Sequence, residues 1–125
     1  NANDALAAAE AGADAVWVSN HGGRQFDGGP APIAQLPAIR AALPPEVAVI
    51  YDSGLRSGLD ILRALALGAD FTMLGRAFHY GLAAFGPRGA AHVVDILKAQ
   101  IEADMAQLGC TQLADLRHHV VVPAP

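Results

Sequence analysis

Ala11-Gly12-Ala13-Asp14-Ala15-Val16-Trp17-Val18-Ser19-Asn20-His21-Gly22-Gly23-Arg24-Gln25 contains a helix stop, a strand and a polar loop in succession. Gly12 suits the position just past a helix C-terminus, where left-handed backbone is needed. Ala15 to Val18 is a short apolar run of the kind that forms a buried strand. The pattern recurs at Leu67-Gly68-Ala69-Asp70, followed by the apolar Phe71 to Leu74 and then Gly75-Arg76. Between the two lies a third apolar run, Val47 to Tyr51, which ends in Asp52-Ser53-Gly54-Leu55-Arg56. Three strands, each followed by a helical pattern, imply a parallel sheet with right-handed crossovers.

The helices follow from periodicity and punctuation. Asn3 is expected to cap a helix from Asp4 to Ala11. A second helix is expected over Ile33 to Leu43, with Leu36, Ile39 and Leu43 on one face and Pro37 in the first turn, where proline is tolerated. Ser57-x-x-Asp60 reads as a capping box opening a helix that buries Ile61, Leu62 and Leu65 and stops at Gly68. A short helix is expected over Phe78 to Ala84. A long one is expected over Ala90 to Leu108, with Val94, Leu97, Ile101, Met105 and Leu108 as its core stripe. Three βα units are too few to close a sheet, and a (β/α)8 barrel takes roughly 250 residues. The fold class expected is therefore α/β, the C-terminal part of a (β/α)8 TIM barrel, with residues 1–116 as partial barrel and 117–125 as a tail.

Composition narrows the partners. The 125 residues are 53% hydrophobic and 16% charged, with a formal net charge of -4. That is a globular composition, and the lack of a basic cluster argues against nucleic acid. The single cysteine, Cys110, cannot form an intrachain disulfide. No apolar run approaches the roughly 20 residues that span a bilayer. Residue 1 is Asn and the chain opens directly into a helix, so an N-terminal portion is expected to be missing.

The chemistry-bearing residues collect where strands end, which is where α/β folds place their sites. His21 can take a proton near neutral pH. Arg24 can grip a carboxylate with two parallel hydrogen bonds. The glycines between them admit a ligand close to the backbone. Together they suggest an acid-bearing substrate with a proton to lose. The next two strand ends suit a phosphate: Asp52, Ser53, Gly54, Leu55 and Arg56 after one, Gly75 and Arg76 after the other. The short helix after Arg76 would aim its N-terminus at the anion. A single Gly-Arg pair is commonly a surface turn, and the repetition at successive strand ends carries the argument.

Taken together, Ser19 to Gln25 (SNHGGRQ), Asp52 to Gly58 (DSGLRSG) and Ala64 to Ala83 (ALALGAD, then LGRAFHYGLA) resemble the FMN-dependent α-hydroxy acid dehydrogenases and oxidases. The DSG form and the GRAFHYGLAAFG stretch look most like the bacterial L-lactate dehydrogenase branch. The resemblance implies FMN as cofactor and oxidation of an L-2-hydroxy acid, lactate-like, to the 2-oxo acid. It implies that His21 is the base and also contacts substrate, and that Arg24 pairs with the substrate carboxylate. Ser19 would meet the flavin end of FMN. Asp52, Ser53, Gly54, Leu55 and Arg56 would wrap its phosphate, with Gly75 and Arg76 completing that site.

The family's N-terminal half, with its tyrosines and flavin-side lysine, is not in this sequence. The chain alone is therefore expected to be inactive, with the missing half of the barrel as its partner and a homo-oligomer when complete. A cytoplasmic location is expected, with peripheral attachment to the inner membrane left open. Two alternatives stand beside this reading: a catalytically incomplete half-barrel needing a partner chain, and a different phosphate-binding TIM barrel. The latter leaves His21 and Arg24 without a task. The remaining candidates read as structural. His79, His92, His118 and His119 lack ligand-spaced partners, so no metal is expected. Tyr51, Tyr80, Met73 and Met105 read as packing residues, Trp17 as barrel core, and Asp27 as a loop residue near the base.

Overall fold

The computed structural model describes residues 1–119. The chain forms two compact units, one made of Asn1–Gly54 with Leu67–Met73, the other of Leu55–Ala66 with the residues from Leu74 onward.

The first unit holds the sheet. Its elements are α1 (Ala2–Glu10), β1 (Ala15–Val18), α2 (Pro32–Ala42), β2 (Ala48–Tyr51) and β3 (Phe71–Thr72). The strands are parallel and ordered β1-β2-β3. Ala15 lies opposite Ala48 and Val18 opposite Tyr51, while Ile50 and Tyr51 face Phe71 and Thr72. Strand side chains alternate between faces. Val18, Val49 and Tyr51 are accordingly buried in a core with Ala5, Leu36 and Ile39. Trp17, Ile50 and Phe71 share the opposite face, where Trp17 is 55% and Phe71 60% exposed. Trp17, read as barrel core, thus lies on the sheet face opposite Val18 and Tyr51 and is exposed among the described residues.

Local expectations meet tertiary corrections here. The cap of α1 is Asn1, not Asn3: the Asn1 side chain accepts from the N–H groups of Asn3 and Asp4. Asn3 fits the capping preference equally well by sequence, and the longer helix wins because it adds a hydrogen-bonded turn. Helix α2 begins at Pro32, so Pro37 falls in its second turn rather than its first. Pro32 takes the first-turn position, where no N–H is missed. Strand β3 is shorter than its apolar run, pairing only through Phe71 and Thr72.

A single arginine ties the end of α2 to the start of β2. Arg40 donates through Nη1 to the Val47 carbonyl and Asp70, and through Nη2 to the carbonyls of Leu43 and Pro44. The Asp70 carboxylate also accepts from the Val49 N–H at 2.8 Å.

The second unit contains α3 (Gly58–Ala66), α4 (Arg76–Phe85), α5 (Gly89–Leu108) and a 3-10 turn over Leu113–His119. That turn runs across residue 116, and residues 120–125 of the expected tail lie outside the described residues. Leu62, Cys110 and Leu116 form its core, with Leu65, Ile101 and Met105 packed against them. Leu97 is buried, but Val94 and Leu108 of the expected stripe are 43% and 40% exposed. The reason is where α4 crosses: a Cβ on Gly81 would meet Val93 Cγ2 and the Gly89 carbonyl, so α5 turns its Val93 side toward α4.

Arg40→Ala removes four hydrogen bonds at once. The Asp70 pair alone would be worth little, because that carboxylate is 42% exposed. The carbonyl contacts carry the effect, and the expected loss of stability is about 2 kcal/mol. Urea unfolding measures it; a loss below about 0.5 kcal/mol, the range of an exposed ion pair, would show that the carbonyl contacts add nothing.

Candidate active site

The loop after β1 opens with Ser19 and Asn20 and turns through a 3-10 segment, His21–Gly23. Ser19 Oγ accepts from the His21 N–H at 3.0 Å. Asn20 Oδ1 accepts from the Gly23 N–H at 3.1 Å, capping the turn. His21 has a φ of +55°, in the left-handed region that is uncommon for residues other than glycine, though Asn, Asp and His enter it more readily than most. Gly23 has a φ of +76°, and a Cβ there would lie 2.9 Å from Asp27 Oδ1, so Asp27 sits against this turn. Arg24 Nε donates to the His21 carbonyl at 3.3 Å. His21 and Arg24 are both exposed. An imidazole and a guanidinium are therefore presented on one glycine-rich turn.

The loop after β2 reaches across to it. Ser53 Oγ accepts from the N–H groups of Asn20 at 3.1 Å and Gly22 at 3.3 Å, and donates to Asp52 Oδ1 at 2.7 Å. Tyr51 OH donates to the Ser53 carbonyl at 2.9 Å. The structure thus brings Ser19, His21, Arg24, Asp52 and Ser53 together in the first unit. A cavity of about 470 Å³ beside β1 is lined by Trp17, Ser19, His21, Gln25, Phe26 and Pro30 among others.

Leu55, Arg56, Gly75 and Arg76 belong to the second unit. Leu55 is buried, so its side chain is spent on packing. Arg56 is exposed. The Asp60 carboxylate accepts from the N–H groups of Arg56 and Ser57 and from the Ser57 hydroxyl, while Ser57 Oγ accepts from the Asp60 N–H. The capping box is thus formed as expected. Gly58 N–H goes to Gln100 Oε1 at 2.8 Å. These amides at the start of α3 already have partners within the protein.

Helix α4 is different. It starts at Arg76 with Gly75 as cap, has no side chain capping it and no acidic residue in its first turn. A Cβ on Gly75 would meet nothing within 4 Å. Open amides, a nearby guanidinium and free space fit a phosphate group. Gly54 (φ +83°) has similar open space around its Cα.

Sequence reasoning missed two contributors, Asn20 and Tyr51. Asn directly before a glycine turn is a capping signal that could have been read. The Tyr51 contact is set by tertiary geometry.

Burial pushes the Asp60 carboxyl up, but the Arg56 and Ser57 N–H groups, the Ser57 hydroxyl and the Arg63 guanidinium together outweigh it and hold the carboxyl below its ordinary value. A depressed folded-state value stabilises the fold above the unfolded value, about 3.9, and that stability is lost as pH falls through the folded value. Asp60→Asn should therefore destabilise at neutral pH, with the difference from the parent shrinking as pH drops below about 4. Urea unfolding across that range tests it; a difference independent of pH would show that the charge plays no part.

The family model described as FMN-dependent dehydrogenase matches residues 1–123. An L-lactate oxidase of Lacticaseibacillus rhamnosus is 51% identical over 114 residues, covering 91% of this chain and 31% of that protein. An L-lactate dehydrogenase of Stenotrophomonas maltophilia is 44% identical over 123 residues, covering 98% and 32%. Among solved structures, mandelate oxidase with benzoyl-formic acid superposes with a TM-score of 0.89 at 39% identity, covering 94% of this chain and 35% of the other. A mandelate oxidase variant with a monooxide FMN adduct gives the same TM-score and identity. The chain spans about a third of the length of these relatives.

Proposed function

The chain belongs to the FMN-dependent dehydrogenase family, and on that premise we propose that it carries the base and the phosphate-binding strand ends of an enzyme that oxidises a lactate-like L-2-hydroxy acid to the 2-oxo acid. The observation that carries this reading is the single turn presenting His21 and Arg24 beside β1, held in place by the loop after β2. In a (β/α)8 barrel of this family, three βα units supply three strand ends, and all three here bear polar, glycine-rich loops.

FMN, when bound, supplies the acceptor for the two electrons that leave the substrate. The protein residues do the rest. Arg24 pairs with the substrate carboxylate and fixes its orientation. His21 takes a proton as the hydroxy acid becomes the oxo acid, and must lie within hydrogen-bond reach of it. Ser19 would meet the flavin end. Within the second unit, Arg56, Gly75 and Arg76 would hold the phosphate, the open amides at the start of α4 being the feature that fits it best.

In the full-length polypeptide loaded with FMN, His21→Ala should lower kcat on L-lactate by about a thousandfold, within the range for a lost general base. Arg24→Lys keeps the charge but not the two-pronged geometry, and should raise KM by about tenfold or more. Near-parental kinetics for both variants would overturn the assignment.

A second reading within the same family is favoured by the open sheet face. Parallel sheets are normally covered on both sides, yet Trp17 and Phe71 are exposed in one row with Ile50. The 125-residue chain by itself is therefore inactive, and the remainder of the barrel must cover that row; a homo-oligomer and a cytoplasmic location belong to the same proposal. No helix of the described residues is long and apolar enough to cross a membrane. The purified 125-residue chain, supplied with FMN and L-lactate, should show no turnover, and robust turnover would refute this reading.

A further inference from the structure

We propose that Ser53 is a positioning residue for His21, acting through the backbone on either side of it rather than through the cofactor phosphate. The inference rests on the reading of His21 as the base. A serine hydroxyl has one proton to donate and two lone pairs to accept with. Ser53 Oγ accepts from Asn20 N–H and from Gly22 N–H, the residues immediately before and after His21. Both donors are amides, so the hydroxyl proton is left for Asp52 Oδ1, 2.7 Å away. The side chain's hydrogen-bonding capacity is then fully used inside the protein, and only the Ser53 backbone N–H is left to face a phosphate.

Backbone geometry points the same way. Ser53 has a φ of +83° and His21 a φ of +55°, the two non-glycine residues with positive φ among the described residues. Holding a non-glycine residue there costs free energy and persists only where surrounding contacts over-determine it. At Ser53 those contacts are Tyr51 OH on its carbonyl and Asp52 on its hydroxyl. At His21 they are Ser19 Oγ on its own N–H and Ser53 Oγ on both flanking N–H groups. Glycine would suit the Ser53 backbone better, so the hydroxyl is what serine adds at this position. By clamping both peptide groups around His21, Ser53 sets where the imidazole is presented to substrate.

Ser53→Gly is the informative variant, because it relieves the positive φ while removing the hydroxyl, and folding should be retained. Ser53→Ala removes the hydroxyl and keeps the backbone constraint. In the FMN-free full-length protein, amide exchange at Asn20 and Gly22 should speed up by about tenfold or more in both variants. At saturating FMN, kcat should fall by about tenfold or more, while the FMN Kd stays within about twofold. Adding Ser53→Gly to His21→Ala should produce no further loss, the signature of two residues acting as one unit. Unchanged amide exchange, or a weakened FMN Kd with parental kcat at saturation, would overturn the proposal. So would additive losses in the double variant. If His21→Ala alone keeps parental kcat, the base assignment fails and the positioning role with it; a large His21→Ala effect with a silent Ser53→Gly sinks the positioning role only.

Discussion

Val18 lies opposite Tyr51 in the parallel ladder between β1 and β2, and the arrangement of the site depends on that pairing. It sets the two strand ends level, so the loop carrying His21 and the loop carrying Ser53 leave the sheet side by side. Residues 33 positions apart in the chain then meet as Asn20 N–H and Ser53 Oγ. Register in such a sheet is strongly specified, because a slip of β1 by one residue would send Val18 to the open face and Trp17 into the core. On its other side β2 is tied to α2 and to the residue before β3, through Arg40 on the Val47 carbonyl and on Asp70, and through the Asp70 carboxylate on Val49 N–H.

The strand-end loops divide into donors already used and donors still open. Arg56, Ser57 and Asp60 N–H groups are closed off by the capping box, and Gly58 N–H by Gln100. These bonds fix the entry to α3 and hold the backbone of Arg56, leaving its guanidinium exposed. The start of α4 is left without a cap. An uncapped helix start exposes several unpaired N–H groups and a partial positive charge, which an anion satisfies. Of the two helix starts near the motif, α4 is thus the better suited to a phosphate group, a distinction that Gly-Arg pairs in a sequence do not make.

The His21 turn shows how an unfavourable backbone geometry is maintained against local preference. Two non-glycine residues with positive φ occupy adjacent loops. Each is held by hydrogen bonds from the other loop or from its own strand end, so strain at one is supported by contacts at the other. The base proposed at His21 would need such support, because small misplacements of a catalytic group are costly.

Much of this was legible in the sequence. Repeated helix-stop and strand patterns at Gly12 and Gly68 were enough for three parallel βα units, because glycine punctuation and short apolar runs act locally. The Ser57–Asp60 box was readable for the same reason, as was the collection of His21, Arg24, Gly75 and Arg76 at strand ends. Where competing local signals were equal, sequence could not choose: Asn1 and Asn3 are both good caps, and Pro32 and Pro37 both suit a first turn. Which side of α5 is buried was decided by the close crossing at Gly81 and Gly89, so Val93 packs inward and Val94 faces out. Trp17 is apolar on a strand, yet its exposure follows from which sheet face has helices against it. That Ser53 spends its hydroxyl on the His21 turn could be decided only by tertiary structure, since it depends on two distant loops leaving the sheet at the same level.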